Sequence, residues 1–170
     1  MSTTSFPAVL ARTFGGPRGI LGRIGAAVTG RRNGPTERHV VDVARLTPGE
    51  AVLVVGPGPA ALAALAGTRH LVTVGPEAVA STGQPDSSVD VVLSVDNVQL
   101  WDDRAAGFAE LRRVLRPGGR LLLSAAEKRL PVPRHALAAE VTAAGFTDLQ
   151  TWTWQPPGLA PTTAELRALR

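Results

Sequence analysis

From residue 51 onward the chain alternates short, unbroken apolar runs with stretches in which apolar residues recur every three to four positions. Ala51–Val55 is continuous and largely β-branched, the pattern of a strand covered on both faces as in a parallel sheet. It runs into Gly56-Pro57-Gly58, a tight turn, and then into Pro59 through Ala66, where a proline suited to the first helical position precedes alanines and leucines. His70–Val74 and Val89–Val95 predict a second and a third strand. Arg104–Leu115 sets Ala105, Phe108, Leu111, Val114 and Leu115 on one stripe and predicts a helix, stopped by Arg116-Pro117-Gly118-Gly119. Arg120–Ser124 predicts a fourth strand, Ala136–Ala144 a short helix closed by Gly145, and Phe146–Trp154 a fifth strand. Strands alternating with helices imply βαβ units with right-handed crossovers, hence a parallel sheet with Ala51–Val55 expected at its centre.

Residues 1–46 follow a different pattern. Val9, Leu10, Phe14, Ile20, Leu21, Ile24 and Val28 are spaced roughly as on a helix. Gly15, Gly16, Pro17, Gly19, Gly22 and Gly25 interrupt them, and each glycine costs an isolated helix about 0.8–1 kcal/mol. This segment is therefore expected to act as an N-terminal helical cap leaning on a core made of residues 47–170, within a single domain. At its end Pro35-Thr36-Glu37 starts a helix through Val40, Val41, Val43, Ala44 and Leu46, closed by Thr47-Pro48-Gly49.

Composition narrows the possible chemistry. With 44% hydrophobic and 19% charged residues the chain can bury a core, and the absence of cysteine excludes disulfides, zinc–thiolate sites and cysteine nucleophiles. No apolar run approaches the ~18 residues of a membrane span, and the N-terminus lacks the pattern of a signal peptide, so a cytoplasmic location is expected. The net charge of +4 is unevenly placed. Seven arginines lie in residues 1–46 against Glu37 and Asp42, whereas residues 47–170 hold 11 basic and 12 acidic groups. The arginines are scattered rather than packed into a run, and read as a solvated helix face rather than a nucleic-acid or membrane surface. No carboxylate pair or His-x-x-x-His spacing marks a metal site.

The strand–Gly-x-Gly–helix order at Val52–Pro59 is a nucleotide-cradling geometry, because glycines admit a ligand to the backbone and a helix start offers free N–H groups. Such turns also serve as plain strand-to-helix connections. Asp96 and Asn97 follow the third apolar strand at its carboxyl end, where α/β folds place their sites, and either serve the site or cap the loop. His135, after Pro131-Val132-Pro133-Arg134, is either a general base near neutral pH or a surface-loop histidine. Trp101 reads as a core plug before a substrate wall, and His39 and His70 as structural.

The order of these motifs carries a family resemblance. The Gly56-Pro57-Gly58 turn is followed by Pro85-Asp86-Ser87-Ser88-Val89-Asp90-Val91-Val92-Leu93-Ser94-Val95, then Gln99-Leu100-Trp101-Asp102-Asp103, then Phe108 through Leu121. This resembles the class I S-adenosylmethionine-dependent methyltransferases of the ubiquinone/menaquinone-methylase type (methyltransferase type 11) over about residues 6–156, most specifically over 85–121. Gly16-Pro17-Arg18-Gly19 and Arg31-Arg32-Asn33 are similar to a lid segment of one branch of that family.

The resemblance implies a Rossmann-like, doubly wound sheet binding S-adenosylmethionine across the carboxyl ends of the first strands, and methyl transfer to a small molecule, as in secondary metabolism. Gly56, Pro57, Gly58 and Pro59 would border the methionine moiety, Glu77 would lie near the adenosine, and Asp96 and Asn97 would face the methyl centre.

The chain departs from the family pattern at three places. Val54 stands where an acidic residue is usual two positions before the first glycine, and Ala60 replaces the third glycine. A stretch of roughly 30 residues, holding a second strand and its ribose-binding carboxylate, has no room between Ala66 and Arg69. His70–Val74 then either corresponds to the family's third strand or fills the vacant second-strand slot, with Glu77 taking over the ribose. Loss of charge-assisted bonds worth about 1.5–3 kcal/mol each leaves the cofactor weakly held, with a Kd of ~100 µM or higher, or lost. The rival readings are an enzyme of the same fold that works without the cofactor, such as a cyclase or isomerase, and a non-catalytic partner protein. A homodimer or protein partner would cover apolar surface exposed by the missing stretch.

Overall fold

The computed structural model describes residues 34–170. The expected cap residues Phe14, Ile20, Leu21 and Ile24 lie outside them. Chain order is a helix over 34–44 (α1), β1 (Ala51–Val55), α2 (Pro59–Ala64), β2 (His70–Val74), β3 (Val89–Val95) and α3 (Arg104–Val114). It continues with β4 (Leu115–Ala126), α4 (Arg134–Ala143), β5 (Thr147–Trp154) and β6 (Thr163–Leu169). Short 3₁₀ turns at Pro76–Ala78, Val98–Leu100 and Glu127–Arg129 follow β2, β3 and β4.

The strands form one sheet in the order β2-β1-β3-β4-β6-β5. β2, β1, β3 and β4 run parallel, as their apolar continuity predicts. β1 lies between β2 and β3, one place from the edge rather than at the centre, because only β2 lies beyond it. β2 pairs with β1 along its whole length, Ala51 opposite His70 through Val55 opposite Val74, so it occupies the slot beside the first strand. β6, which no sequence pattern announces, inserts antiparallel between β4 and β5.

The alternation of side chains across the pleat divides the core in two. Leu53 and Val55 face one layer with Val92, Leu121 and Leu123, covered by Phe108, Leu111 and Val114 of α3 and Leu137 and Val141 of α4. Val52 and Val54 face the other with Val91, Leu93 and Leu122, covered by Val40 and Ala44 of α1 and Leu65 after α2. Each fully buried Leu or Phe contributes about 1.5–3 kcal/mol, which is how a chain with few aromatics holds this sheet. Trp101 packs edge-on against Phe108, ring centres 5.1 Å apart, and is the core plug its setting suggested.

Polar anchors tie α1 to the sheet. Arg120 of β4 forks onto both oxygens of Glu50 at 2.7 and 2.8 Å and donates its Nε–H to the carbonyl of Ala44 at 2.9 Å. That fork holds the Glu50 carboxyl down at about 2. On the other side of α1, His39 stacks on Trp154 with centroids 3.8 Å apart and meets the buried Glu165 of β6 at 3.1 Å. Among the described residues no helix is long and apolar enough to cross a membrane.

Candidate functional site

Parallel strands leave their side chains and carbonyls converging on one edge of the sheet, and here the carboxyl ends of β1 to β4 bring the chemistry-bearing residues there. The turn after β1 is held by Gly56, whose φ of +58° lies in the left-handed region and whose N–H donates to the Val74 carbonyl of β2 at 2.7 Å. Both turn glycines are closely approached by side chains. A Cβ on Gly56 would fall 2.8 Å from Asn97 Nδ2, and one on Gly58 would fall 1.7 Å from Glu37 Oε1. Gly58 thus lets in a carboxylate that arrives from α1, a residue the sequence marked only as a helix start.

Glu37 is 3% exposed, and its Oε2 accepts the N–H of Ala61 at 2.8 Å. Ala61 is the third residue of α2, whose N-cap, Gly58, has no side chain to receive such a donor. A carboxylate from 24 positions upstream therefore caps this short helix. The sequence could not show that, since nothing local to Glu37 names its destination.

Asn97 is buried and its amide is saturated. Nδ2 donates to the carbonyls of Val55 at 2.6 Å and Val95 at 3.1 Å, and Oδ1 accepts from Ser94 Oγ and Trp101 Nε1, both at 2.9 Å. An amide offers two donors and two acceptor sites, so none is left for a substrate. These bonds bolt the ends of β1 and β3 together. Asp96, at φ +54°, donates its N–H to Ser124 and accepts at Oδ1 from the Ala126 N–H at 3.2 Å, while its other oxygen pairs with Arg129. Its carboxylate is directed to the end of β4.

Glu77 is exposed in the 3₁₀ turn after β2, folded back so that a Cβ on Gly75 would lie 2.2 Å from its Oε1. Gly75 follows Val74, the residue bonded to Gly56, so this carboxylate stands beside the β1 turn. Pro57 and Pro59 flank Gly58, with Pro59 exposed at the first helical position. His135 stands apart from this group, exposed in the first turn of α4 beyond the Leu130–Pro133 connection. No group of three or more His, Asp or Glu able to hold a metal is present among the described residues.

The carboxyl edge is thus a glycine turn flanked by Glu37 and Glu77, over a floor locked by Asn97. S-adenosylmethionine carries an ammonium group and ribose hydroxyls, all donors, and these two carboxylates are acceptors suited to them.

Comparison with known proteins accords with this geometry. The family model described as "Methyltransferase domain" matches residues 37–123, more than half of the chain. An uncharacterised methyltransferase of Bacillus subtilis, YdaC, is 31% identical over 72 residues, a match spanning 38% of this chain and 40% of that relative. Among solved structures, a Thermotoga maritima S-adenosylmethionine-dependent methyltransferase, described as a possible histamine N-methyltransferase, superposes with a TM-score of 0.58 at 16% identity. That superposition covers 88% of this chain and 95% of the other. A phosphoethanolamine N-methyltransferase of Haemonchus contortus, solved with phosphomonomethylethanolamine and S-adenosylhomocysteine, gives a TM-score of 0.63 at 13% identity, covering 79% of this chain and 52% of that one. Likeness at such identities is likeness of fold. The family model supplies the rest, and with it the chain belongs to the class I S-adenosylmethionine-dependent methyltransferase family.

Proposed function

We propose that the chain binds S-adenosylmethionine at the carboxyl ends of β1 and β2 and transfers its methyl group to a small-molecule acceptor. The observation that carries this reading is the Gly56–Gly58 turn with two carboxylates beside it, one from α1 and one from the end of β2. β2 lies in the slot next to β1, so Glu77 lies past the end of the strand whose terminal carboxylate holds the ribose in the family pattern. Bound there, S-adenosylmethionine supplies an electrophilic methyl group on a sulfonium centre.

The chain's own residues have separable tasks. Gly56 and Gly58 leave room at the turn for the Asn97 and Glu37 side chains, and Glu77 accepts from the ribose hydroxyls. Asn97 and Asp96 hold the ends of β1, β3 and β4 at fixed separation, which serves the in-line alignment that methyl transfer requires.

Titration calorimetry tests the reading. S-adenosylmethionine and S-adenosylhomocysteine are expected to bind with a Kd below about 1 mM, and Glu77→Ala to weaken both by ~10-fold through loss of a charge-assisted bond. Absence of binding by the wild-type chain up to millimolar concentration would overturn the proposal and favour a cofactor-independent enzyme or a partner protein on the same fold.

A further inference from the structure

The helix-capping role of Glu37 leaves half of its carboxylate unexplained. Oε2 takes the Ala61 N–H, the one hydrogen bond that Glu37 makes among the described residues. Oε1 sits instead against the bare Cα of Gly58, so close that a methyl group there would overlap it at 1.7 Å. A carboxylate accepts at about four lone-pair positions, and Oε1, the oxygen at the turn, has no hydrogen-bond partner among the described residues. A cap alone does not require this, since an uncharged Ser, Asn or Gln side chain can accept one N–H.

The neighbouring acids do not share this feature. Asp96 is occupied by Ala126 and Arg129, and Glu77 is exposed at the end of β2. The α2 N-terminus is no anion site either, because α2 has six residues and its Ala61 N–H already belongs to Glu37. Negative charge, burial and a free acceptor at the mouth of a backbone turn are the features that recognise a compact cation.

We infer that Glu37, reaching the turn from α1, is the binding residue for the ammonium group of the methionine end of S-adenosylmethionine. This rests on the proposed function and adds to it a residue from outside the strand–turn–helix unit. Recognition follows from the geometry. Gly58 brings Oε1 to the turn, Ala61 fixes the carboxylate plane through Oε2, and burial strengthens the attraction to a cation that loses its own water on entry.

The test compares ligands that do and do not carry the ammonium group, with calorimetric Kd as the readout. The ligands are S-adenosylmethionine, S-adenosylhomocysteine, its desamino analogue, and 5′-methylthioadenosine, which lacks the whole amino-acid end. For the wild-type chain, the desamino analogue is expected to bind at least ~10-fold more weakly than S-adenosylhomocysteine. In Glu37→Gln, whose amide oxygen can still accept from Ala61, the two amino-acid ligands should weaken by ~10-fold while 5′-methylthioadenosine stays within about twofold.

Equal wild-type affinity for S-adenosylhomocysteine and its desamino analogue would overturn the inference, and needs no variant to fold. So would equal weakening of all ligands by Glu37→Gln, which marks a collapsed turn, or no weakening at all. A wild-type chain that binds none of the four ligands removes the proposed function itself, and the inference with it.

Discussion

Two turns stand side by side at the carboxyl edge of the sheet, one after β1 at Gly56–Gly58 and one after β3 at Asp96–Asn97. Both receive buried polar side chains, and both contain a residue in the left-handed region, Gly56 at φ +58° and Asp96 at φ +54°. They differ in what those side chains have left to offer. Asn97 makes four hydrogen bonds and has no further capacity, and the Asp96 carboxylate bridges to the end of β4. Glu37 makes one and keeps an oxygen at the turn. A saturated group stiffens its surroundings, whereas an unsaturated one in the same low-dielectric setting retains the means to recognise a ligand. Sequence position does not tell framework from recognition, since Asn97 follows a strand and is saturated whereas Glu37 comes from a helix and keeps an oxygen at the turn.

The largest expected effect is on the framework side. Asn97→Ala would leave the Trp101 indole N–H and the Val55 and Val95 carbonyls without their partner in a buried place, and should cost about 3 kcal/mol of stability. Urea unfolding measures this, and a loss below about 1 kcal/mol would show that the bolt does not hold in solution.

Gly58→Ala sharpens the other side of the comparison. Its backbone, φ −89° and ψ 170°, suits any residue, so the strain comes wholly from the Cβ striking Glu37. Alone the substitution should destabilise by about 1–2 kcal/mol and weaken S-adenosylmethionine. Combined with Glu37→Ala it should become neutral or stabilising by a few tenths to about 1 kcal/mol, because alanine also restricts the unfolded chain. Additive losses in the double variant would show that Gly58 serves something other than Glu37.

The smallest effect separates the carboxyl edge from the remainder of the molecule. Arg120 holds the Glu50 carboxyl, and Arg113 that of Glu110, at about 2 against an ordinary value of 4.5. Above 4.5 both carboxyls are ionised whether the chain is folded or not, and their pairing contributes in full. As pH falls from 4.5 towards 2 the unfolded chain takes up protons first, so stability drops through that window. Neither acid touches the two turns, so wild type and Asn97→Ala, which removes no ionisable group, should lose stability over the same pH range. A displaced curve for Asn97→Ala would couple the turn to the acid-sensitive pairs.

Much of the fold is legible in the sequence because it rests on local patterns. The apolar runs of β1, β3 and β4, the stripe of Phe108, Leu111 and Val114, and the Gly56–Pro59 turn each declare themselves within a dozen residues. β6 does not. Thr163-Ala164-Glu165-Leu166-Arg167-Ala168-Leu169 is composed mainly of good helix formers, and becomes a strand by pairing with β4 from Arg120 to Ala126 and with β5 from Thr147 to Trp154. Boundaries moved for similar reasons. β4 begins at Leu115 because Gly118 and Gly119 pair with Arg170 at the chain's end, and α4 begins at Arg134.

At the site the sequence by itself determined the turn, the strand that leads into it and the family to which they point, all carried by residues adjacent in the chain. Tertiary structure alone decided that His70–Val74 lies beside β1, that the Asn97 amide is saturated, and that a carboxylate from α1 occupies the space above Gly58. The reason is physical. Backbone preference and apolar periodicity act between near neighbours, whereas a buried polar atom takes its partner from whatever segment packing brings within about 3 Å, here one 24 positions away.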